Sequence, residues 1–229
     1  MNEKELVAAG DRMTARIRHV IEHDPGLRTA LRRGIGRPPK DIANFHAHAV
    51  VAPFLPERPD HATERAFYTV AALIAAQQRG ARDQDVARAA LEKDDGAEGG
   101  STGAANTAAG RSRRRNLGET LAWAVEKGRV NGDTARDRLH LLARYRVDRL
   151  HRELPKLVSY LRADLIPVDW GYLLRDLARW GSERDQVAKE WVQRYHRTRD
   201  DIQRERKRRD DDASGTAGDT TIETEDRLS

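Results

Sequence analysis

Residues 134–191, TARDRLHLLARYRVDRLHRELPKLVSYLRADLIPVDWGYLLRDLARWGSERDQVAKEW, decide the fold. Leu139, Leu142, Ala143, Val147, Leu150 and Leu154 recur every three or four residues, so one side of a helix is committed to a core. The opposite side is rich in arginine. Residues 136–162 hold eight basic and three acidic side chains, a net of +5 that equals the excess of the whole chain. Such a face suits a polyanion better than chemistry on a small molecule. Pro155 removes a backbone donor and predicts a kink or a restart after Leu154. Pro167 ends the next segment, and Asp169 then caps a helix over Trp170–Trp180 whose Trp170, Leu173, Leu174, Leu177 and Trp180 face inward. Gly181 closes it. Ser182 and Asp185 stand at capping-box spacing for a last helix from Glu183, with Val187, Trp191 and Tyr195 on one side.

The same reading extends outward. Residues 2–22 carry apolar side chains at helical spacing. Asp24-Pro25 marks a restart, with Asp24 as N-cap and Pro25 in the first helical position. That second helix holds Leu27, Leu31 and Ile35 inward and ends at Gly34, Gly36 and Pro38-Pro39. A third runs over about Lys40–Val51. Residues 62–79 are apolar on most faces and predict the central helix of a first bundle, followed by a short helix over 83–93. Residues 94–112 are rich in glycine and small polar side chains and read as a linker. Another helix occupies Asn116–Glu126.

Alanine, leucine, arginine and glutamate dominate, and β-branched runs are scarce. The expectation is an all-α fold of two small helical bundles, about eight to ten helices, joined by a flexible linker and ending in a disordered tail. The boundaries are 1–93 for the N-terminal bundle, 94–112 for the linker, 113–197 for the C-terminal bundle with the basic face, and 198–229 for the tail. The tail holds seven basic and ten acidic residues, a net of −3, which leaves +8 on residues 1–197.

Function classes narrow quickly. Zero cysteines excludes disulfides, thiolate catalysis and cysteine–zinc sites. No span approaches the ~18–20 apolar residues of a membrane helix, and the acidic N-terminus is unlike a signal peptide, so a cytoplasmic location is expected. No phosphate loop, dinucleotide fingerprint or nucleophile elbow occurs. His19 and His23 share a helix face with no evident third ligand, and Asp210–Asp212 lie in a polar tail; no metal site, cofactor or catalytic residue is expected. The four tryptophans sit at helical spacing beside leucines and read as core before they read as base-stacking platforms. The 35 arginines against seven lysines fit a GC-rich coding bias, but bias does not explain their clustering.

Three basic clusters, 28–33, 113–115 and 136–162, therefore carry the functional signal. We assign the nucleic-acid face to Arg32, Arg33, Arg115, Arg138, Arg144, Arg149 and Arg152, with Arg28, Arg146 and Lys156 as secondary candidates. Contacts of this kind go to the backbone and are independent of sequence. Two other classes stand beside this one: a purely structural bridge between proteins, and a helix-turn-helix regulator, for which no compact helix pair with a polar recognition helix is found.

The chain resembles the CasB family, the small subunit of the type I-E CRISPR surveillance complex Cascade. The resemblance rests on Asn116-Leu117-Gly118-Glu119, on Arg138-Leu139-His140-Leu141-Leu142, and on Val168-Asp169-Trp170-x-x-Leu173-Leu174-x-Asp176-Leu177-x-x-Trp180 followed by Val187 and Trp191. Leu31-Arg32-Arg33-Gly34 and Ala66-Phe67-Tyr68-x-Val70-Ala71-x-Leu73 fit in the same order, so the likeness spans about residues 10–197. Leu139 stands where the family often has phenylalanine. The resemblance implies a non-catalytic, all-helical protein, present as two copies head to tail. Its implied partners are guide RNA, target DNA, the guide-RNA-bearing backbone subunits and the large subunit, in antiviral defence. Its implied role is to stabilise the R-loop, a nearly balanced strand exchange that modest backbone contacts can tip.

Overall fold

The computed structural model describes residues 1–87 and 114–216, with side chains to Asp211. The 94–112 linker, the far part of the 83–93 helix, Arg113 and residues 217–229 lie outside the described residues. Among those described, every regular element is a helix: α1 (Glu3–His23), α2 (Pro25–Arg33), α3 (His48–Val51), α4 (His61–Ala76), α5 (79–87), α6 (Leu117–Glu126), α7 (Gly132–Ala143), α8 (Val147–Ala163), α9 (Trp170–Arg179) and α10 (Arg184–Thr216). Short 3-10 turns at Ile42–Ala47 and Ala52–Phe54 flank α3. They occupy the stretch in which the sequence predicted one helix from Lys40.

The helix starts are set by side-chain caps. Asn2 and Glu5 form a reciprocal box on α1, and Asn116 and Glu119 do the same on α6. Asp24 accepts from the Leu27 N–H at 2.8 Å with Pro25 in the first turn, as its sequence predicts. Asp60, Asn131 and Asp169 cap α4, α7 and α9. At α10 the expected Ser182 box is absent. The helix begins at Arg184, and the Glu183 carboxylate turns back to Arg179 at 2.7 Å.

The helices pack in two sets whose division in space does not follow their order in the chain. α9 lies against α1 and α4, so a C-terminal helix completes the N-terminal set, while α6, α7 and α10 pack on one another. α4 is buried along nearly its whole length, the central position its composition predicts. One continuous apolar core runs from Leu6 to Tyr195. Trp170, Trp180 and Trp191 lie inside it, with the last two rings 4.7 Å apart. Two glycines allow close approaches. A Cβ on Gly118 would stand 1.9 Å from the Trp191 carbonyl oxygen, and one on Gly171 would stand 2.3 Å from the Asp11 carboxylate.

One expectation is corrected. The helix break falls at residues 144–146, not at Pro155: α7 stops at Ala143, and α8 runs unbroken through Pro155. Pro155 sits on the buried side of α8 and cannot donate to the His151 carbonyl. That carbonyl lies beside the Gly36 backbone, where a Cβ would be 3.9 Å away. α10 also reaches into the stretch assigned to the tail. α10 continues to Thr216, well past Arg197, with exposed side chains from Gln203 to Asp211. It has no apolar stripe there. Ion pairs one turn apart, Arg204–Asp201 at 2.9 Å and Arg209–Glu205 at 2.5 Å, brace it locally.

Candidate nucleic-acid interface

The outer side of α8 is built by helix phase. Leu150, Leu154, Leu157, Val158 and Leu161 point into the core, which forces Arg149, Arg152 and Lys156 outward in one row. Two tyrosines hold guanidinium groups along it. Arg149 lies 4.4 Å over the Tyr145 ring, and Arg138, from α7, lies 4.9 Å over the Tyr160 ring. The Tyr160 hydroxyl donates to the Arg129 carbonyl at 3.2 Å, which ties the α6–α7 turn to the same end of the row. Arg144 and Arg146 are exposed in the break between α7 and α8.

Arg32 and Arg33 reach this surface through a turn. They end α2, both exposed, and Gly36 follows at φ +70°, a left-handed conformation that favours glycine. A Cβ there would lie 3.7 Å from the Arg152 Cα, so the α2 tip rests directly on α8. The turn that follows Arg32 and Arg33 thus meets α8 at Arg152, more than 110 residues further along the chain.

Acidic side chains beside the row are already engaged. Asp148 bonds both Arg65 and His61, and Glu153 takes Lys156 at 2.8 Å. The Lys156 hydrogen bond and nearby Arg149 and Arg152 hold the Glu153 carboxyl below the usual range. Burial pulls the Arg65 guanidinium below its ordinary value, against the pull of Asp148 and with that of Arg152. His151, on the inner side, accepts or donates at Nδ1 to the Thr69 hydroxyl at 2.7 Å, while its Nε2 is buried. Burial and the neighbouring Arg65 push its pKa down to about 3, which keeps it neutral beneath the positive surface.

Not every assigned residue joins the row. Arg28 turns inward: its Nε donates to the Ala75 carbonyl and its Nη2 to the Gln77 carbonyl, both at 3.2 Å. It satisfies the C-terminal end of α4, whose last carbonyls have no helical partner, and so leaves the interface. Arg115 is half-buried at the start of α6, 4.4 Å over the Trp123 ring. Arg162, counted with the basic stretch in sequence, is 2% exposed and belongs to the core. It donates to Asp85 at 2.7 Å and to the Ala81 and Ile166 carbonyls at 2.6 and 2.8 Å. Among the described residues no group of three or more acidic, histidine or cysteine side chains is arranged to hold a metal.

Comparison with known proteins identifies the family. The model of the CRISPR-associated protein Cse2 matches residues 27–196. The chain belongs to the Cse2 family. Two solved structures of a CRISPR RNA-guided surveillance complex, one of them in a pre-nicking state, contain a chain 44% identical to this Cse2 protein. The match covers 87% of this chain and 98% of that one, with a TM-score of 0.72. The crystal structure of M. ruber CasB shares the fold at 20% identity and a TM-score of 0.60, over 84% of this chain and 96% of that one. Comparison with curated proteins returned no match. The family match takes in α2, the α8 row and the tryptophan-rich helices of this Cse2 chain. It leaves out α1 and the outer part of α10.

Sequence reading missed Tyr145 and Tyr160 as supports for arginines, and Arg65 and His61 as partners of Asp148. Tyr145 was visible in principle, one turn ahead of Arg149. The others come from separate helices and leave no local signal.

Proposed function

We propose that this Cse2 chain is a non-catalytic subunit of a CRISPR RNA-guided surveillance complex. In this reading it holds the phosphate backbone of guide RNA and target DNA without sequence preference and so stabilises the R-loop. One observation carries the reading: the outward row of Arg149, Arg152 and Lys156, extended by Arg138 and seated against the α2 tip with Arg32 and Arg33. Arg144 and Arg146 border it, Lys156 is part-neutralised by Glu153, and Arg115 forms a separate stacked site on α6. Its partners are the other subunits of such a complex, including a second copy of itself, in the cytoplasm. No helix among the described residues is long and apolar enough to cross a membrane.

Reversing charge at Arg138, Arg149 and Arg152 tests this. Each phosphate that is no longer neutralised should remove about 0.9 from the slope of log affinity against log salt on duplex DNA, or about 0.7 on a single strand. The weakening should be alike for unrelated sequences. Unchanged DNA binding by the assembled complex would overturn the assignment and favour a structural bridge.

A further inference from the structure

The 3-10 turn Ile42–Ala47 presents two large apolar side chains to solvent: Ile42 is 82% exposed and Phe45 70%. In a 3-10 helix, residues three apart line up, so the two stand on the same edge. The turn beneath them is fixed. Asn44 is buried, donates to the Pro38 carbonyl at 2.8 Å, and fills the space where a Gly34 Cβ would be. The Phe45 ring meets His48 edge-on with centroids 6.0 Å apart. The backbone that carries Phe45 is therefore fixed, and most of the ring surface is open.

Its surroundings are cationic. Arg32, Arg33, Arg37 and Lys40 adjoin the turn in sequence and Asp41 is the lone acid, bonded to Arg37 at 3.2 Å. Gly34 packs on Asn44 of this turn, and Gly36, two residues on, lies against the Arg152 Cα of α8. Two side chains on one turn are far short of the ~800 Å² per partner that a stable protein interface buries. The core of such an interface is also depleted of charge, whereas this ring is bordered by it. An open aromatic ring beside phosphate-binding arginines matches the platform on which unpaired bases stack.

We propose that Phe45, flanked by Ile42, is a stacking platform for an unpaired nucleobase. The strand that carries the base runs its phosphates along Arg32, Arg33 and the α8 row. The inference rests on the nucleic-acid reading above and adds that the bound strand is single and splayed at this point. Any base has a π-face, so the platform adds affinity without sequence preference.

The test uses the full chain and fluorescence anisotropy with three probes: an oligothymidylate strand, the same strand made abasic, and a DNA duplex. Phe45→Ala should weaken the oligothymidylate about tenfold, the effect of one stacked base. It should leave the abasic strand, the duplex and the salt slope unchanged. Phe45→Trp should restore binding and add fluorescence quenched by the strand. Undiminished binding in Phe45→Ala, or equal weakening on intact and abasic strands, overturns the proposal. So does a variant that binds the strand normally but fails to enter the multi-subunit complex, which would make the turn a protein surface. Those results leave the α8 reading standing. A wild-type chain that binds no probe at any salt removes both.

Discussion

Two sets of arginines share this chain and do opposite things. The inner set, Arg162, Arg114, Arg175 and Arg179, is spent on carboxylates. Arg114 bridges Asp11 and Asp169 at 2.6–2.9 Å, and those partners hold its charge more firmly than usual. Arg162 shares Asp85 with Arg18 and the Trp170 indole, joining α1, α5, α8 and α9. Arg175 and Arg179 both reach Glu3, pinning the start of α1 to α9. The outer set, Arg138, Arg149 and Arg152, is exposed: Arg138 and Arg149 lie over tyrosine rings, and the acid near Arg149 and Arg152, Glu153, is already engaged by Lys156. The lesson is that a count of arginines does not measure a binding face. What matters is which of them the fold has already matched to an acid.

That contrast can be broken from either side. The largest effect on stability belongs to Arg162→Ala, which removes the most buried partner of Asp85 and leaves it only Arg18 and the Trp170 indole. Breaking a buried pair in this way costs about 3–5 kcal/mol. Denaturant melts should register that cost while the salt slope of binding in the folded protein stays as it was; a mild effect would place Arg162 in the outer set. Gly118→Ala should come next, because its methyl group would press on the Trp191 carbonyl. A cost of about 1–3 kcal/mol is expected for such overpacking.

The triple reversal at Arg138, Arg149 and Arg152 should do the converse. The melting temperature should stay near wild type, and the salt slope on duplex DNA should fall by up to about 2.7. A large drop in melting temperature would mean that these residues are structural after all.

A finer test is pH. His151 has its pKa lowered to about 3, so below about 6.5 the unfolded chain binds a proton that the folded chain refuses, and stability falls as pH falls through that window. Asp176 is the reverse. Burial raises it to about 6 despite Arg175 and the Trp191 indole, so it contributes a loss of stability as pH rises from about 4 to 6. The two oppose each other over the shared range. Relative to wild type, His151→Gln should lose stability more steeply as pH rises through that range, and Asp176→Asn should gain it more steeply. Urea titrations at several pH values would show parallel curves if neither group were shifted. The smallest effect should come from ending the chain after Ile202. Helical signal in circular dichroism should drop, and the melting temperature should hold.

Much of the scaffold was legible in the sequence, because caps and apolar periods are local. Asp24-Pro25, Asn116 with Glu119, and Asp169 could each be read within four residues. The inward tryptophans followed from their spacing. What escaped is long-range. Nothing near Arg162 announces Asp85, 77 residues away, and nothing near Arg28 announces the α4 carbonyls 47 and 49 residues away. The α7–α8 break was hidden for a different reason. Arg144-Tyr145-Arg146 contains neither glycine nor proline, whereas Pro155, the obvious breaker, is absorbed in the middle of a helix. The candidate interface was half legible: helix phase gave the outward row on α8, whereas the close approach of Gly36, three residues after Arg33, to α8 left no local signal.

That approach has a thermodynamic side. Gly36 brings main chain against main chain, with no side chain between the α2 tip and α8 to act as a cushion. The two positive elements therefore keep their spacing before any ligand arrives. Binding then has to immobilise arginine rotamers, roughly 0.5–1.5 kcal/mol each, but no backbone. An interface whose ordering cost was met during folding can grip and release a strand without refolding, as the role proposed for it at a nearly balanced strand exchange would require.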